Sequence, residues 1–235
     1  MKGKLIVLES CDGGGKSTQI KIIQDYLIQK GLKSTYIHFP MYGHNEFSTV
    51  IAKFLRGDFG GIDDVDPYFA ANIYAMDRFL YLPKLLQKLE DNDVVLLDRY
   101  VFSNIAFQGA KLNDGGKIQD WIDSFEFGFL GLPYPDLTLF LDVPISIVEE
   151  RLHDREGEDR EYLKGKQDIH EADMSFQAVV RNIYLSLENV KNYHIIKCWG
   201  DVLLQGPGGI GRRMYSTEEL FDKYKSLIKN VTNGI

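Results

Sequence analysis

Five short apolar runs read as strands, residues 5–9, 34–39, 94–98, 137–143 and 194–197, and several of them are apolar throughout. A strand with one wet face alternates apolar and polar residues, so unbroken runs of this length predict strands covered on both faces of a parallel sheet. The segments between them follow a helical period. Residues 16–30 carry Ile20, Ile23 and Leu27 at that spacing and stop at Gly31, a residue suited to the left-handed turn that ends helices. Residues 67–90 predict a long amphipathic helix, kinked or broken at Pro83. Further helical patterns cover 103–112, 116–127, 146–153, 171–187 and 217–230. This alternation, with no internal repeat and no linker, predicts one α/β domain over 1–235: a five-stranded parallel sheet with helices on both faces.

Two stretches break the pattern. Residues 154–167 are highly charged, with Arg155, Arg160, Lys164 and Lys166 among acids, and taken alone read as a solvated loop. Residues 199–215 contain Gly206-Pro207-Gly208-Gly209-Ile210-Gly211, which satisfies G-x-G-x-x-G. Arg212-Arg213-Met214-Tyr215-Ser216 follow where a helix should open, so a surface turn or hairpin is expected rather than a dinucleotide site.

Composition narrows the class. With 44% hydrophobic and 26% charged residues the chain is globular, and no apolar run is long enough to cross a bilayer. The N-terminus offers no signal-peptide core. Cys11 and Cys198 cannot make a disulfide framework, so a reducing, cytoplasmic setting is expected. The net charge of −7 disfavours a nucleic-acid partner. Any anion must be met by a local cluster of amides and basic groups.

That cluster is legible. Ser10-Cys11-Asp12-Gly13-Gly14-Gly15-Lys16-Ser17-Thr18 follows the first strand and opens the first helix. It matches the phosphate-loop pattern G-x-x-x-x-G-K-[ST] except that Ser10 stands at the first glycine. Consecutive amides curl around a polyphosphate there, and glycines permit the close approach. Lys16 reaches the β- and γ-phosphates, and the Ser17 hydroxyl suits Mg²⁺. Asp98-Arg99-Tyr100 ends the third apolar run, where an open α/β sheet places its ligand-facing side chains. Combined with the loop, it supplies a Mg²⁺-water partner in Asp98 and a phosphate clamp in Arg99.

From residue 4 to about residue 187, with a weaker return at 216–228, the chain resembles thymidylate kinases. The pieces, in order, are Leu8-Glu9, Asp12-Gly13-x-Gly15-Lys16-Ser17-Thr18-Gln19, Phe39-Pro40, Ala75-x-Asp77-Arg78 and Asp98-Arg99-Tyr100. Ser103-x-x-Ala106-Phe107-Gln108-Gly109, Pro133-x-Pro135-Asp136-Leu137-x-Leu139-x-Leu141-Asp142-Val143, and Arg151 with Arg155 complete the set.

The resemblance implies a phosphate-loop NTPase-type fold with a lid over about 154–168, and transfer of a phosphoryl group from ATP to dTMP with Mg²⁺ in a homodimer. By position, the loop from Ser10 and Cys11 to Thr18 would bind ATP, and Arg151 would pack on its adenine. Asp12 falls near the acceptor sugar and phosphate. Tyr74 matches the aromatic stacked on thymine, and Arg78 matches the arginine bonded to the base carbonyl. Arg99 matches the acceptor-phosphate clamp, and Phe107 the aromatic crowding the 2′ position. Ser103, Asn104 and Gln108 line that pocket with His38, Phe39 and Pro40. Lys16, Arg99, Arg155 and Arg160 would act on the transferred group.

Departures from the family pattern are Ser10, His38 in place of a basic residue, Ile169 in place of a lid arginine, and Gly13 where some members carry a loop arginine. Helix-face patterning alone would also make Tyr74 and Phe107 core residues and Arg78 a surface charge. A kinase of broader base choice and a non-catalytic nucleotide-binding regulator remain alternatives.

Overall fold

The computed structural model describes residues 2–112, 116–154, 160–203 and 210–234. Its main sheet has five parallel strands in the order β2–β3–β1–β4–β5. These are β1 (Lys4–Glu9), β2 (Ser34–His38), β3 (Val94–Asp98), β4 (Leu137–Asp142) and β5 (Tyr193–Lys197). The inner strands β3, β1 and β4 are buried along nearly their whole length, which is why their sequences do not alternate. The edge strands β2 and β5 are mixed.

The connections determine which helices cover which face. The helices are α1 (Lys16–Gln29), α2 (Glu46–Leu55), α3 (Pro67–Asp91), α4 (Val101–Gly109), α5 (Lys117–Asp123), α6 (Ile145–Asp154), α7 (Met174–Ser186) and α8 (Thr217–Thr232). From β1 to β2 the chain moves one way across the sheet, and every later step moves the other way. Right-handed crossovers therefore put α1 on one face and α3, α4, α5 and α7 on the other. α8 packs against α1, and α4 packs against α3, α5 and α7.

Three elements differ from the sequence expectation. α2 is absent from the predicted set, although Asn45 and Ser48 form a capping box at its start and it buries Ile51, Phe54 and Leu55. With part of α3 and Leu163 it builds a second, smaller core. Pro83 does not break α3, because it sits on the exposed face where water can serve the carbonyl that loses its amide partner. The fourth predicted helix gives way after Asp123 to a π-helical turn, Ser124–Phe129, that carries the buried Glu126.

The 199–215 segment is the expected hairpin. β6 (Trp199–Leu203) and β7 (Ile210–Met214) pair antiparallel, with Trp199 opposite Met214. Residues 206–209 of the glycine string lie outside the described residues.

Candidate active site

The residues just past the ends of all five parallel strands meet in one cleft of about 830 Å³: Asp12, Phe39, Arg99, Val143 and Cys198 are among its lining. The loop after β1 sits at the middle. Gly13 and Gly15 adopt left-handed backbone angles, φ +67° and +86°, that side chains disfavour. Gly14 is needed for space, since a Cβ there would stand 2.5 Å from the Ser10 Cβ. Ser10 thus occupies room inside the loop, donating to the Cys11 carbonyl at 2.7 Å and accepting from Lys16 Nζ at 3.1 Å. Asn45, Asp66, Asp173 and Ser216 cap α2, α3, α7 and α8, whereas no side chain caps α1, α4 or α5. The opening amides of α1 are therefore positioned for an external anion.

Arg99 joins the halves of the cleft. Its backbone is left-handed at φ 65°, and its guanidinium reaches Asp12 at 2.6 Å, the Ser10 carbonyl at 3.0 Å and Ser103 Oγ at 3.1 Å. It lies over the Phe107 ring, 4.9 Å from the centroid. Beneath it is Glu9, fully buried, which accepts from the Tyr100 amide at 2.9 Å, the Ser103 amide at 3.2 Å and the Tyr184 hydroxyl at 3.0 Å. Burial raises the Glu9 carboxyl above its ordinary value despite these donors. Burial acts the same way on Asp12, but the Arg99 and Lys16 charges outweigh it and hold that carboxyl low.

Beside the loop, Lys16 Nζ stands 3.7 Å from Asp98 Oδ1, and His38 Nδ1 stands 3.6 Å from Oδ2. Burial opposes ionisation of Asp98, yet Lys16, His38 and Arg99 bring it down to about 2. Lys16 itself is shifted down, first by burial and then by Arg99. Asp98 Oδ1 is buried without a hydrogen-bond partner, and Ser17 lines the same cleft. Among the described residues no group of three or more His, Cys, Asp or Glu forms a metal cage. A hydroxyl plus one carboxylate suits Mg²⁺, which takes few protein ligands and keeps waters and phosphates.

On the β2–β3 side, Arg78 is 3% exposed and held by Glu126 through two bonds of 2.6 Å. Asn104 Nδ2 also donates to Glu126, at 2.8 Å. Both amide atoms of Gln108, and Asn104 Oδ1, are buried without partners. Tyr74 and Tyr42 line the pocket, and Tyr42 stacks on Tyr162 at 4.1 Å between centroids. Asp168 also lines the pocket, its carboxyl pushed up to about 8 by burial, then by Asp12 and Glu171. Burial and Lys111 bring its neighbour His170 down to about 3.

A match to the family model described as thymidylate kinase spans residues 8–199. The chain belongs to the thymidylate kinase family. It is 32% identical over 185 residues to the thymidylate kinase of Mycobacterium tuberculosis, covering 78% of this chain and 85% of the relative. Identity to the human thymidylate kinase is 34% over 150 residues, 64% and 66% of the two chains. A probable thymidylate kinase of Pyrococcus abyssi aligns over the full length of both chains at 27% identity. The fold matches the thymidylate kinase structure of Candida albicans with a TM-score of 0.67, 22% identity and 97% and 92% coverage. The protein is thus a nucleoside monophosphate kinase of the phosphate-loop type.

Most of the residues singled out by the resemblance converge on the cleft. Asp12 to Thr18, His38, Phe39, Pro40, Tyr74, Arg78, Asp98, Arg99, Ser103, Asn104, Phe107, Gln108, Arg151 and Arg160 all line it. Two predicted ATP-binding residues do not: Ser10 and Cys11 are buried under the loop, and burial pushes the Cys11 thiol up to about 12. Arg78 is no surface charge. Arg160 is bound to Glu171 at 2.6 and 2.7 Å, and Lys166 to Asp58 at 2.8 Å. Arg155 lies outside the described residues.

Glu126, Gln177, Tyr42 and Tyr162 were not among the predicted site residues. Gln177 donates to Asp12 at 2.7 Å and to the His170 carbonyl at 3.0 Å, tying α7 to the loop. Position on a predicted helix was the only sequence signal for it.

Proposed function

We propose that the protein transfers the γ-phosphoryl group of ATP to dTMP, giving dTDP and ADP. The observation that carries this reading is the Arg99–Asp12 contact of 2.6 Å. It sets a permanent cation between the phosphate loop and the pocket of Tyr74, Phe107 and Arg78. Phosphoryl transfer asks little covalent chemistry of a protein; it asks for two anions in line and a neutralised, dry transition state.

In this reading the uncapped amides of α1, the glycine loop and Lys16 hold the donor phosphates, while Arg99 holds the acceptor phosphate. Ser17 and Asp98 hold Mg²⁺, which supplies neutralising charge on the phosphate oxygens when bound. Arg151, donating to the Gly13 carbonyl at 3.2 Å, packs on the donor base. Tyr74 and Phe107 flank the acceptor nucleoside, Ser103, Asn104 and Gln108 line its pocket, and Glu126 presents Arg78 to the base. His38, Phe39 and Pro40 close the phosphate end. Arg160, with Arg155, supplies the cation of a closing lid.

Two broader features belong to the proposal. Exposed Phe69, Phe79, Leu80 and Leu86 on α3 support a homodimer through that helix. Both cysteines are free thiols, in keeping with the cytoplasm. The test is ADP release across dTMP, dUMP, dCMP, dGMP and AMP. A dTMP-dependent rate well above the others is expected. Equal rates would mean broad base choice, and no rate with any acceptor would remove the enzymatic reading.

A further inference from the structure

Apart from Trp199, the β6–β7 hairpin follows the segment matched by the family model, and it so far lacks a role. Its end, Met214, and the next residue, Tyr215, line the same cleft as the phosphate loop. The topology says which end of the cleft they line. The loop rises from the central strand β1, and the acceptor-side groups Asp98, Arg99 and His38 come from β3 and β2 on one side. On the other side, β4 leads to Val143 and Arg151, and β5 leads to Cys198. A triphosphate seated in the loop under Arg151 directs its base to that second side.

Val143, Cys198, Met214, Tyr215 and Leu220 line the cleft on that side as a mostly apolar slot, together with Thr217 and Arg151. Cys198 is neutral within it, its thiol pushed up to about 12 by burial. The hairpin extends from β5, one strand further from the loop than β4, and so stands at the slot's outer end. Its wall is built in place. The Tyr215 amide donates to the Cys198 carbonyl at 3.0 Å, and Lys223 Nζ sits 4.0 Å over the ring. Gly200 makes room for that ring, because a Cβ there would meet the Tyr215 hydroxyl and stand 2.8 Å from Cζ.

We infer that the base of the hairpin, Met214 with Tyr215, is the outer wall of the donor-base slot, and that these two residues favour a purine donor over a pyrimidine. This rests on the reading of the loop as the ATP phosphate site. A two-ring base reaches the outer wall and gains its apolar contact; a one-ring base ends short of it.

The test uses the full chain and two variants: Met214→Ala, and one in which residues 200–213 are replaced by Asn-Gly between the paired ends Trp199 and Met214. Steady-state constants are measured with ATP, GTP, CTP and UTP. Losing the apolar contact of about two methylene-sized groups at the far end of the purine should raise the KM for ATP about tenfold. The KM for dTMP should move less than about twofold, and the preference for ATP over CTP should fall about tenfold. The point variant decides the matter if the shortened chain does not fold. An unchanged ATP KM and unchanged ATP/CTP ratio would overturn the inference while leaving the kinase reading intact. Should the wild type transfer from no donor, titration with ATP and with inorganic tripolyphosphate decides instead. Weakened ATP binding with unchanged tripolyphosphate binding supports the wall; equal effects, or none, reject it.

Discussion

Gly14→Ala tests the packing of the phosphate loop directly. Gly14 does not use a left-handed backbone angle, so alanine brings no conformational penalty of that kind. Its cost is steric. The new Cβ would stand 2.5 Å from the Ser10 Cβ, against an optimum of about 3.5–4.0 Å for two carbons. Rotating Ser10 moves its Oγ but not its Cβ, and Ser10 is completely buried, so the loop itself must shift. Overpacking of this kind costs about 1–3 kcal/mol, and the rigid contact argues for the top of that range. For a chain of this size each kcal/mol lowers Tm by about 2–4 °C, which gives a fall of about 6–12 °C. ATP affinity should fall with it. Ser10→Gly alone should cost about 1 kcal/mol, through its lost hydrogen bonds and the freer backbone. With Ser10 cut back, the nearest obstacle to Ala at 14 is the Cys11 carbonyl at 3.1 Å, which the loop can accommodate with a small shift. The double variant should therefore be about 2 kcal/mol more stable than the sum of the two singles. Urea unfolding and ATP titration of the four proteins provide the measurement. Additivity within about 0.5 kcal/mol would show that Ser10 is not what Gly14 makes room for.

Other substitutions test the site's charges. Lys16→Ala should lower phosphoryl transfer by about a hundredfold or more in a chain that still folds, with some fall in Tm because Asp98 loses its buried partner; retained transfer would sink the loop assignment. Glu126→Gln should destabilise the fold by about 3–5 kcal/mol, since it leaves the buried Arg78 charge without its bidentate partner, and a thermal melt reads this. Asp168→Asn should raise Tm above neutral pH. The folded carboxyl holds its proton to about 8 and the unfolded one only to about 3.8, so wild-type stability falls as pH rises across that window. Removing the acid should recover at most about 5 kcal/mol at pH 8 and less than about 1 kcal/mol at pH 4; parallel Tm–pH curves for wild type and variant would refute it.

The fold was legible where one local rule governs a segment. The inner strands are covered on both faces, so each wrote itself as an unbroken apolar run. The phosphate loop was legible because amide geometry, glycine freedom and a lysine must coincide in nine consecutive residues. α2 was missed although its signal is local: Asn45 caps it, and Phe47, Val50, Ile51 and Phe54 recur at helical spacing. Glu126, by contrast, was illegible. Its partner Arg78 is 48 positions away, and the two meet only because a π-helical turn after α5 directs it inward. Gln177 reaches Asp12 across 165 positions in the same manner. Residue types carry chemistry into a sequence, but the pairing that fixes an orientation is made by the packing of distant helices.

That pairing also explains how a chain with a net charge of −7 can present cations to anionic substrates. Four cations facing the cleft already have a carboxylate: Arg99 has Asp12, Lys16 has Asp98, Arg78 has Glu126 and Arg160 has Glu171. A bare guanidinium in so buried a place would be costly, whereas a paired one keeps its charge and a fixed direction. Asp12 supplies the largest charge favouring the Arg99 guanidinium against burial, and Arg99 the largest charge holding the Asp12 carboxyl low. Arg99 is further fixed by the Ser10 carbonyl and Ser103, with Glu9 bracing Ser103 from below. Donors set in this way need little reorganisation when a phosphate arrives, and that is how a positioned dipole or charge lowers a barrier. The acidic balance of the chain and its local handling of phosphate are therefore one arrangement. The carboxylates that make the cleft nearly neutral are the same groups that hold its cations in place.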